Sequence, residues 1–340
     1  MNRVLGRLFV IATVLVLAIS PAAALNIVLT NDDGFETANI TELYRALKAA
    51  GHDVAITAPF GEQSGRSAYI STKPIEAVEA DSPKGTVKAG SPGIGQHPDD
   101  PDIFYVNATP AMTAFFGMDI VATKRWGKLP DLLIAGPNEG HNLGYITNYS
   151  GTLGAAVTAI RHGVPAIAVS ADRSTKKNPA LAPEVAHIVV GIVGALESNR
   201  PDGQLLLPAG TGLNVNVPRF DPGQSAALQT KFTQVANHAI IGGTARGAFG
   251  IRFYEDKRDD PILGRRYKSA VAGLGIDLKR IKASDETNPN AEALHVASEV
   301  GKDKKVTTPG FVTISVIDGD LGASAELERA ARERMKGLGN

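Results

Sequence analysis

The chain has 340 residues, of which 43% are hydrophobic and 21% charged, with 35 basic and 35 acidic side chains. That balance supports a globular core and excludes the basic excess of a dedicated nucleic-acid binder, while leaving room for a nucleotide-sized ligand at one local site. Cysteine is absent, so disulfides, a catalytic thiolate and thiolate metal sites are excluded; a metal must take oxygen or imidazole ligands, and oxygen favours Mg, Mn or Ca.

The first 24 residues read as a leader. Arg3 and Arg7 form a basic start, an apolar run spans Leu8 to Ile19, and Ser20-Pro21-Ala22-Ala23-Ala24 supplies the small residues a signal peptidase needs. Cleavage after Ala24 is expected. The mature protein then begins at Leu25 and is exported, to the periplasm or beyond the cell. Loss of the two arginines leaves 33 basic against 35 acidic side chains. Past the leader, no segment reads as long and apolar enough to cross a membrane.

Leu25 to Thr30 is a short apolar strand ending at Asn31-Asp32-Asp33-Gly34. Ile40, Leu43, Tyr44 and Leu47 have helical spacing, and Gly51 stops that helix. Asp53 to Ala58 is a second strand closed by Pro59, which completes a βαβ unit and implies a parallel sheet. Residues 81–102, rich in Gly, Pro, Ser and Asp, read as an exposed insertion. A strand at Ile103 to Asn107 and a helix at Ala111 to Ala122 follow, with Pro110 at the helix entry. Then come a buried strand from Leu132 to Ala135, a helix from Thr152 to Arg161 and a strand from Ala166 to Ser170. Pro183 to Leu196 reads as helix and Leu213 to Val217 as strand. From Phe220 to Ala283 the pattern loosens into β-like runs around a charged stretch, before a strand at Phe311 to Val316 and a terminal helix at Ala323 to Met335. The expected fold is α/β, Rossmann-like and doubly wound, with a mostly parallel sheet and a hairpin-rich C-terminal appendage. The expected division is a leader (1–24), a core (25–218) and an extension for oligomer contacts that folds onto the core (219–340).

In open α/β sheets, ligands sit beyond the carboxyl ends of the strands. Those ends carry Asp32 and Asp33, the Ser64-Gly65 loop, and Asn138 followed by Asn142. Two carboxylates, a hydroxyl and an amide oxygen suit a hard cation. Tyr149-Ser150-Gly151-Thr152 precedes a small-residue helix whose free N–H groups suit a phosphate. Taken singly, each of these is an ordinary turn, buried amide or helix cap. Their common placement after parallel strands points to metal-assisted phosphate chemistry. His141 is expected to be solvated, and His52, His162 and His187 structural.

These residues resemble the SurE-type nucleotidases, also called stationary-phase survival proteins. The resemblance rests on Asn31-Asp32-Asp33-Gly34, Ala58-Pro59 followed by Ser64-Gly65, Gly136-Pro137-Asn138-Glu139-Gly140-His141-Asn142-Leu143-Gly144, and Tyr149-Ser150-Gly151-Thr152. Residues 163–170 and 213–218 also match. The resemblance implies a 5'/3'-nucleotidase that hydrolyses nucleoside monophosphates with a divalent cation, Mg or Mn, and assembles as a homodimer or homotetramer. It implies Asp32, Asp33, Ser64 and Asn138 as metal ligands, and Asn142, Ser150, Gly151 and Thr152 at the phosphate. Five features depart from the family pattern: Phe35-Glu36-Thr37-Ala38-Asn39-Ile40 after the acidic pair, Arg66 after Ser64-Gly65, the 81–102 insertion, the long C-terminal part, and an export signal where many relatives are cytoplasmic. Other readings are an exported acid phosphatase of broader specificity on the same fold and a non-catalytic nucleotide- or metal-binding protein. A phosphoaspartyl enzyme of the haloacid dehalogenase type would need Asp-x-Asp-Gly-Thr, which Asn31-Asp32-Asp33-Gly34-Phe35 lacks.

Overall fold

The computed structural model describes residues 24–236, 248–254, 273–281, 288–319 and 325–334. The leader through Ala23 lies outside the described residues, as do parts of the expected C-terminal appendage.

In chain order the strands are β1 (Asn26–Thr30), β2 (Asp53–Pro59), β3 (Ile94–His97), β4 (Asp100–Val106), β5 (Leu132–Glu139), β6 (Ala166–Ala171) and β7 (Thr211–Val217). β8 (Thr230–Thr233), β9 (Ala248–Tyr254), β10 (Gly273–Ile281), β11 (Glu299–Val300), β12 (Val306–Thr308) and β13 (Val312–Asp318) follow. The helices are α1 (Ala38–Ala49), α2 (Pro110–Phe115), α3 (Thr123–Trp126), α4 (Gly151–Arg161), α5 (Ser174–Lys177), α6 (Ala182–Ser198), α7 (Glu292–His295) and α8 (Ala325–Arg334).

A nine-stranded sheet runs in the order β3-β4-β2-β1-β5-β6-β7-β13-β8. From β4 to β7 every pairing is parallel; β3 joins β4, and β13 joins β7, antiparallel. The chain order reverses between β1 and β5, which makes their carboxyl ends the switch point of a doubly wound sheet. β9 and β10 form a separate antiparallel pair.

The parallel strands are apolar on both faces because both faces are covered. Ile27 and Leu29 of β1 join Leu132 and Ile134 of β5 in one core cluster, which includes Ile40, Leu43 and Leu47 of α1 and Val185, Val189 and Val193 of α6. The alternate residues Val28, Leu133 and Ala135 face a second cluster with Ala114, Met118, Ala155 and Ala159. Alanines in α4 let that helix lie close to the sheet.

Three sequence expectations change in the fold. The helix after Pro110 does not end at Ala122; it passes through a wide π-type turn, Phe116–Ala122, and continues as α3 to Trp126. Residues 81–102 are not simply an exposed insertion: Val87 is buried, Ser82 is held by hydrogen bonds, and the segment ends in edge strand β3. One segment, Pro179–Ser198, is long and apolar enough by length and composition to cross a membrane. In the fold it holds α6, with Val185, Ala186, Val189 and Val193 packed against the sheet. The extension contributes to the main sheet as well, since β13 and β8 lie beyond β7.

Candidate active site at the β1–β5 switch point

The chain turns sharply after β1. Gly34 has φ +112°, and the Asn31 side chain closes the turn, with Nδ2 donating to the Gly34 carbonyl (2.9 Å) and Oδ1 accepting from Gly34 N–H (3.2 Å). In this turn Asp32 and Asp33 need not point to opposite faces as they would in a strand. Asp32 is 3% exposed, and its Oδ1 accepts a hydrogen bond from the Thr152 hydroxyl at 2.7 Å. Asp33 Oδ2 accepts from Glu139 N–H at 3.0 Å, which ties the turn to the end of β5.

Burial raises the Asp32 carboxyl to about 6, against hydrogen bonds from Thr152 that lower it. Burial raises Asp33 further, to about 8, with repulsion first from Asp32 and then from Glu139. Lys176, 2.9 Å from Glu139, is engaged by this third carboxylate and opposes the rise at Asp33 only as the smallest of its influences. The clustered carboxyl oxygens, held back from ionising by burial and by one another, are donors that suit a hard cation.

The start of α4 closes over the pair. Ser150 caps the helix by accepting from Leu153 N–H at 3.2 Å. Gly151 has to be glycine here: a Cβ would lie 2.8 Å from Asp32 Cβ and 3.0 Å from Pro110 Cγ. Thr152 serves Asp32 rather than adding a free donor, because its hydroxyl proton goes to that carboxylate while its oxygen accepts from Asn142 Nδ2 at 3.3 Å.

Asn142 is buried, and Nδ2 also donates to Ser170 Oγ at 2.8 Å. Its backbone is clamped from β7. Asn216 Oδ1 accepts from Asn142 N–H at 3.0 Å, while Asn216 Nδ2 and Asn214 Nδ2 donate to the Asn142 carbonyl at 3.2 and 3.1 Å. Sequence reasoning placed no site role on these two asparagines. The signal was available: polar residues at i and i+2 in an otherwise apolar buried strand share one face.

Asn138 lies in β5 beyond a register irregularity between Ala135 and Asn138, and its Nδ2 donates to the Gly140 carbonyl at 2.6 Å. Ser64 is exposed; its loop is tied to the site one residue earlier, where Gln63 N–H donates to the Asp32 carbonyl at 2.7 Å. The structure therefore brings Asp32, Asp33, Asn142, Ser150, Gly151 and Thr152 into one hydrogen-bonded or packed group. Asn138 and Ser64 sit on adjoining loops.

His141 is not a solvated loop residue. Its Nε2 lies 2.7 Å from the Val217 carbonyl, and burial lowers its pKa. His52 is buried, with Nδ1 accepting from Leu25 N–H; His162 pairs with Asp119 at 2.7 Å. His187, expected to be structural, is exposed on α6.

Comparison with known proteins agrees with this geometry. The family described as "Survival protein SurE" matches residues 27–241. An acid phosphatase of Yarrowia lipolytica is 35% identical over 201 residues, which is 56% of this chain and 56% of that protein. A 5'-nucleotidase SurE of Microcystis aeruginosa is 29% identical over 303 residues, 87% of this chain and 92% of that protein. In structure, the SurE protein of Aquifex aeolicus aligns with a TM-score of 0.60 at 22% identity, over 91% of this chain and 99% of that one, a likeness of fold. The family match spans both halves of the switch point, from β1 to beyond β8, and the chain belongs to the SurE family.

Proposed function

We propose that this protein is a phosphomonoesterase that releases phosphate from nucleoside monophosphates with the help of a divalent cation, Mg or Mn. The observation that carries the proposal is the adjacent Asp32–Asp33 pair, with Asp32 buried and held against the N-terminus of α4 by the Thr152 hydroxyl and Asp33 half-buried beside it. Asp32 and Asp33 hold the cation. The Asn138 Oδ1 and the Ser64 hydroxyl are the further ligands, since Asn138 Nδ2 is already committed to Gly140. When bound, the cation neutralises charge on the phosphate and on its leaving oxygen. The Ser150 hydroxyl, whose oxygen caps the helix, directs its proton outward to the phosphate, beside the first N–H groups of α4. Asn142 is fixed by β7 and keeps Thr152, and through it Asp32, in one orientation.

The mature, exported chain from Leu25 and a homodimer or homotetramer belong to the same proposal; N-terminal sequencing and light scattering check them. The decisive assay measures phosphate release from a nucleoside monophosphate with Mg or Mn, with chelator, and in Asp32→Asn. Asn keeps the shape and the Thr152 contact while removing the charge. Activity is expected to fall by about a thousandfold or more with the fold intact. Full turnover in Asp32→Asn, or in chelator, sinks the proposal. The likeness to the Yarrowia acid phosphatase favours one second reading, broader ester specificity, which equal rates across a substrate panel would support.

A further inference from the structure

Beside the acidic pair lies a second cavity of about 360 Å³, lined by Asp33, Phe60, Pro83, Lys84, Thr175 and Pro179 among others. Its outer wall is the first part of the 81–102 segment. What holds that wall is Glu36, three residues after Asp33 and only 7% exposed. The Glu36 carboxylate accepts from the Ser82 hydroxyl at 3.0 Å, from Lys84 N–H at 2.8 Å and from the Thr86 hydroxyl. The turn is closed on itself by Ser82 N–H to the Val87 carbonyl at 2.8 Å and by Val87 N–H to Ser82 Oγ at 3.1 Å. Val87, buried at the base of the turn, fixes it to the core.

A buried carboxylate costs heavily unless its lone pairs are satisfied. Three converging donors satisfy this one. Its removal would leave the turn without a common acceptor. Glu36 is thus a pin between the turn carrying Asp33 and the segment at 82–86.

The pinned wall presents groups of a particular kind. Lys84 is exposed and, among the described residues, takes part in no ion pair. Phe60, another lining residue, is held in place by Phe35, with ring centroids at 6.2 Å and planes at 27°, and by Tyr105, edge-on at 5.7 Å. Pro83 and Pro179 add flat apolar surface. A cavity of this volume is of ligand size. An aromatic face with an unpaired ammonium suits a planar group rich in hydrogen-bond acceptors.

We propose that this cavity receives the leaving group of the ester, that it is built for a nucleoside, and that Glu36 is a positioning residue setting substrate preference by pinning the Pro83–Lys84 wall. The inference rests on the phosphomonoesterase reading above. Asp33, shared by the cavity and the acidic pair, places the two subsites side by side.

The test compares kcat and KM for a nucleoside monophosphate and for glycerol 2-phosphate, which has no ring, in wild type, Glu36→Ala, Glu36→Gln and Lys84→Ala. In Glu36→Ala and Lys84→Ala, the ratio of kcat/KM for the nucleotide over the ringless ester falls about tenfold, the loss residing in KM for the nucleotide. Glu36→Gln recovers part of the ratio, since Oε1 still accepts from the two hydroxyls while the amide meets Lys84 N–H. Lys84 is exposed, so its variant keeps the test sound if Glu36→Ala fails to fold. Ratios within about twofold of wild type in both alanine variants overturn the proposal, as does an equal fall for both esters. Wild type that hydrolyses neither ester with Mg or Mn overturns the phosphatase reading itself, and this inference with it.

Discussion

The centre of the main sheet and its β8 edge do different things. From β4 to β6 the strands are parallel, and a helix covers each face of β1 and β5. Their carboxyl ends carry charged and amide side chains that bond to one another across three elements. Toward β8 the sheet turns antiparallel at β13 and leaves an open apolar groove of about 810 Å³, lined by Ile188, Ile192, Leu205, Phe232 and Val316 among others. Phe232 is 73% exposed and Val316 62%. This apolar groove is therefore not where the chemistry gathers. Chemistry gathers where the connections from two paired parallel strands run off to opposite sides, and turns and a helix N-terminus meet.

The sharpest way to break this contrast is to push a single methyl group into the switch point. In Gly151→Ala the new Cβ meets Asp32 Cβ at 2.8 Å, so the carboxylate has to shift. Phosphatase activity is expected to drop by about a hundredfold, while urea unfolding shows a loss of ~1–3 kcal/mol. Activity within about twofold of wild type would show that Asp32 needs no such placement.

The second test is a truncation in the centre of the sheet and another at its edge. Ile134→Ala in buried β5 is expected to cost ~2–5 kcal/mol, whereas Phe232→Ala on exposed β8 should stay within ~0.5 kcal/mol. A large loss at Phe232 on unfolding would mean that its ring is covered in the native protein in solution.

The last test is the most diagnostic of the acidic pair. In metal-free protein the Asp33 carboxyl keeps its proton up to about 8 when folded, against 3.8 as the ordinary value. The folded state binds that proton more tightly, so its stabilising contribution is full below about pH 4 and is lost as pH rises through about 8. Asp33→Asn removes the half-buried charge that appears at high pH. The variant is expected to be more stable than wild type by on the order of 1–3 kcal/mol at pH 9 without metal, with the gain gone at pH 4. Thermal melts at the two pH values, with chelator, read this directly. An unchanged difference across that range would remove the case for a strained acidic pair.

Much of the site was legible because its parts are local. Asn31-Asp32-Asp33-Gly34 reads as a turn after an apolar strand, and Ser150-Gly151-Thr152 reads as a cap before a run of alanines. What was less legible depends on contacts far apart in sequence. Glu36 looks like any surface acid until the fold brings Ser82, Lys84 and Thr86 onto it. Asn214 and Asn216 gain meaning only when β7 lies beside the Asn142 loop. His141 looked solvated because loops usually are; Val217 supplied the partner that drew it inward.

By itself, the amino-acid sequence determined the alternation of strands and helices, the parallel core and the identity of the acidic pair. Periodicity, turn residues and helix caps act over a few residues, and a linear reading captures them. Tertiary structure alone decided that Thr152 spends its proton on Asp32, that the segment after residue 81 becomes a pinned wall, and that β13 and β8 complete the sheet. Each depends on which distant groups become neighbours, and on burial, which sets the strength of a charge or a hydrogen bond only once water has been excluded.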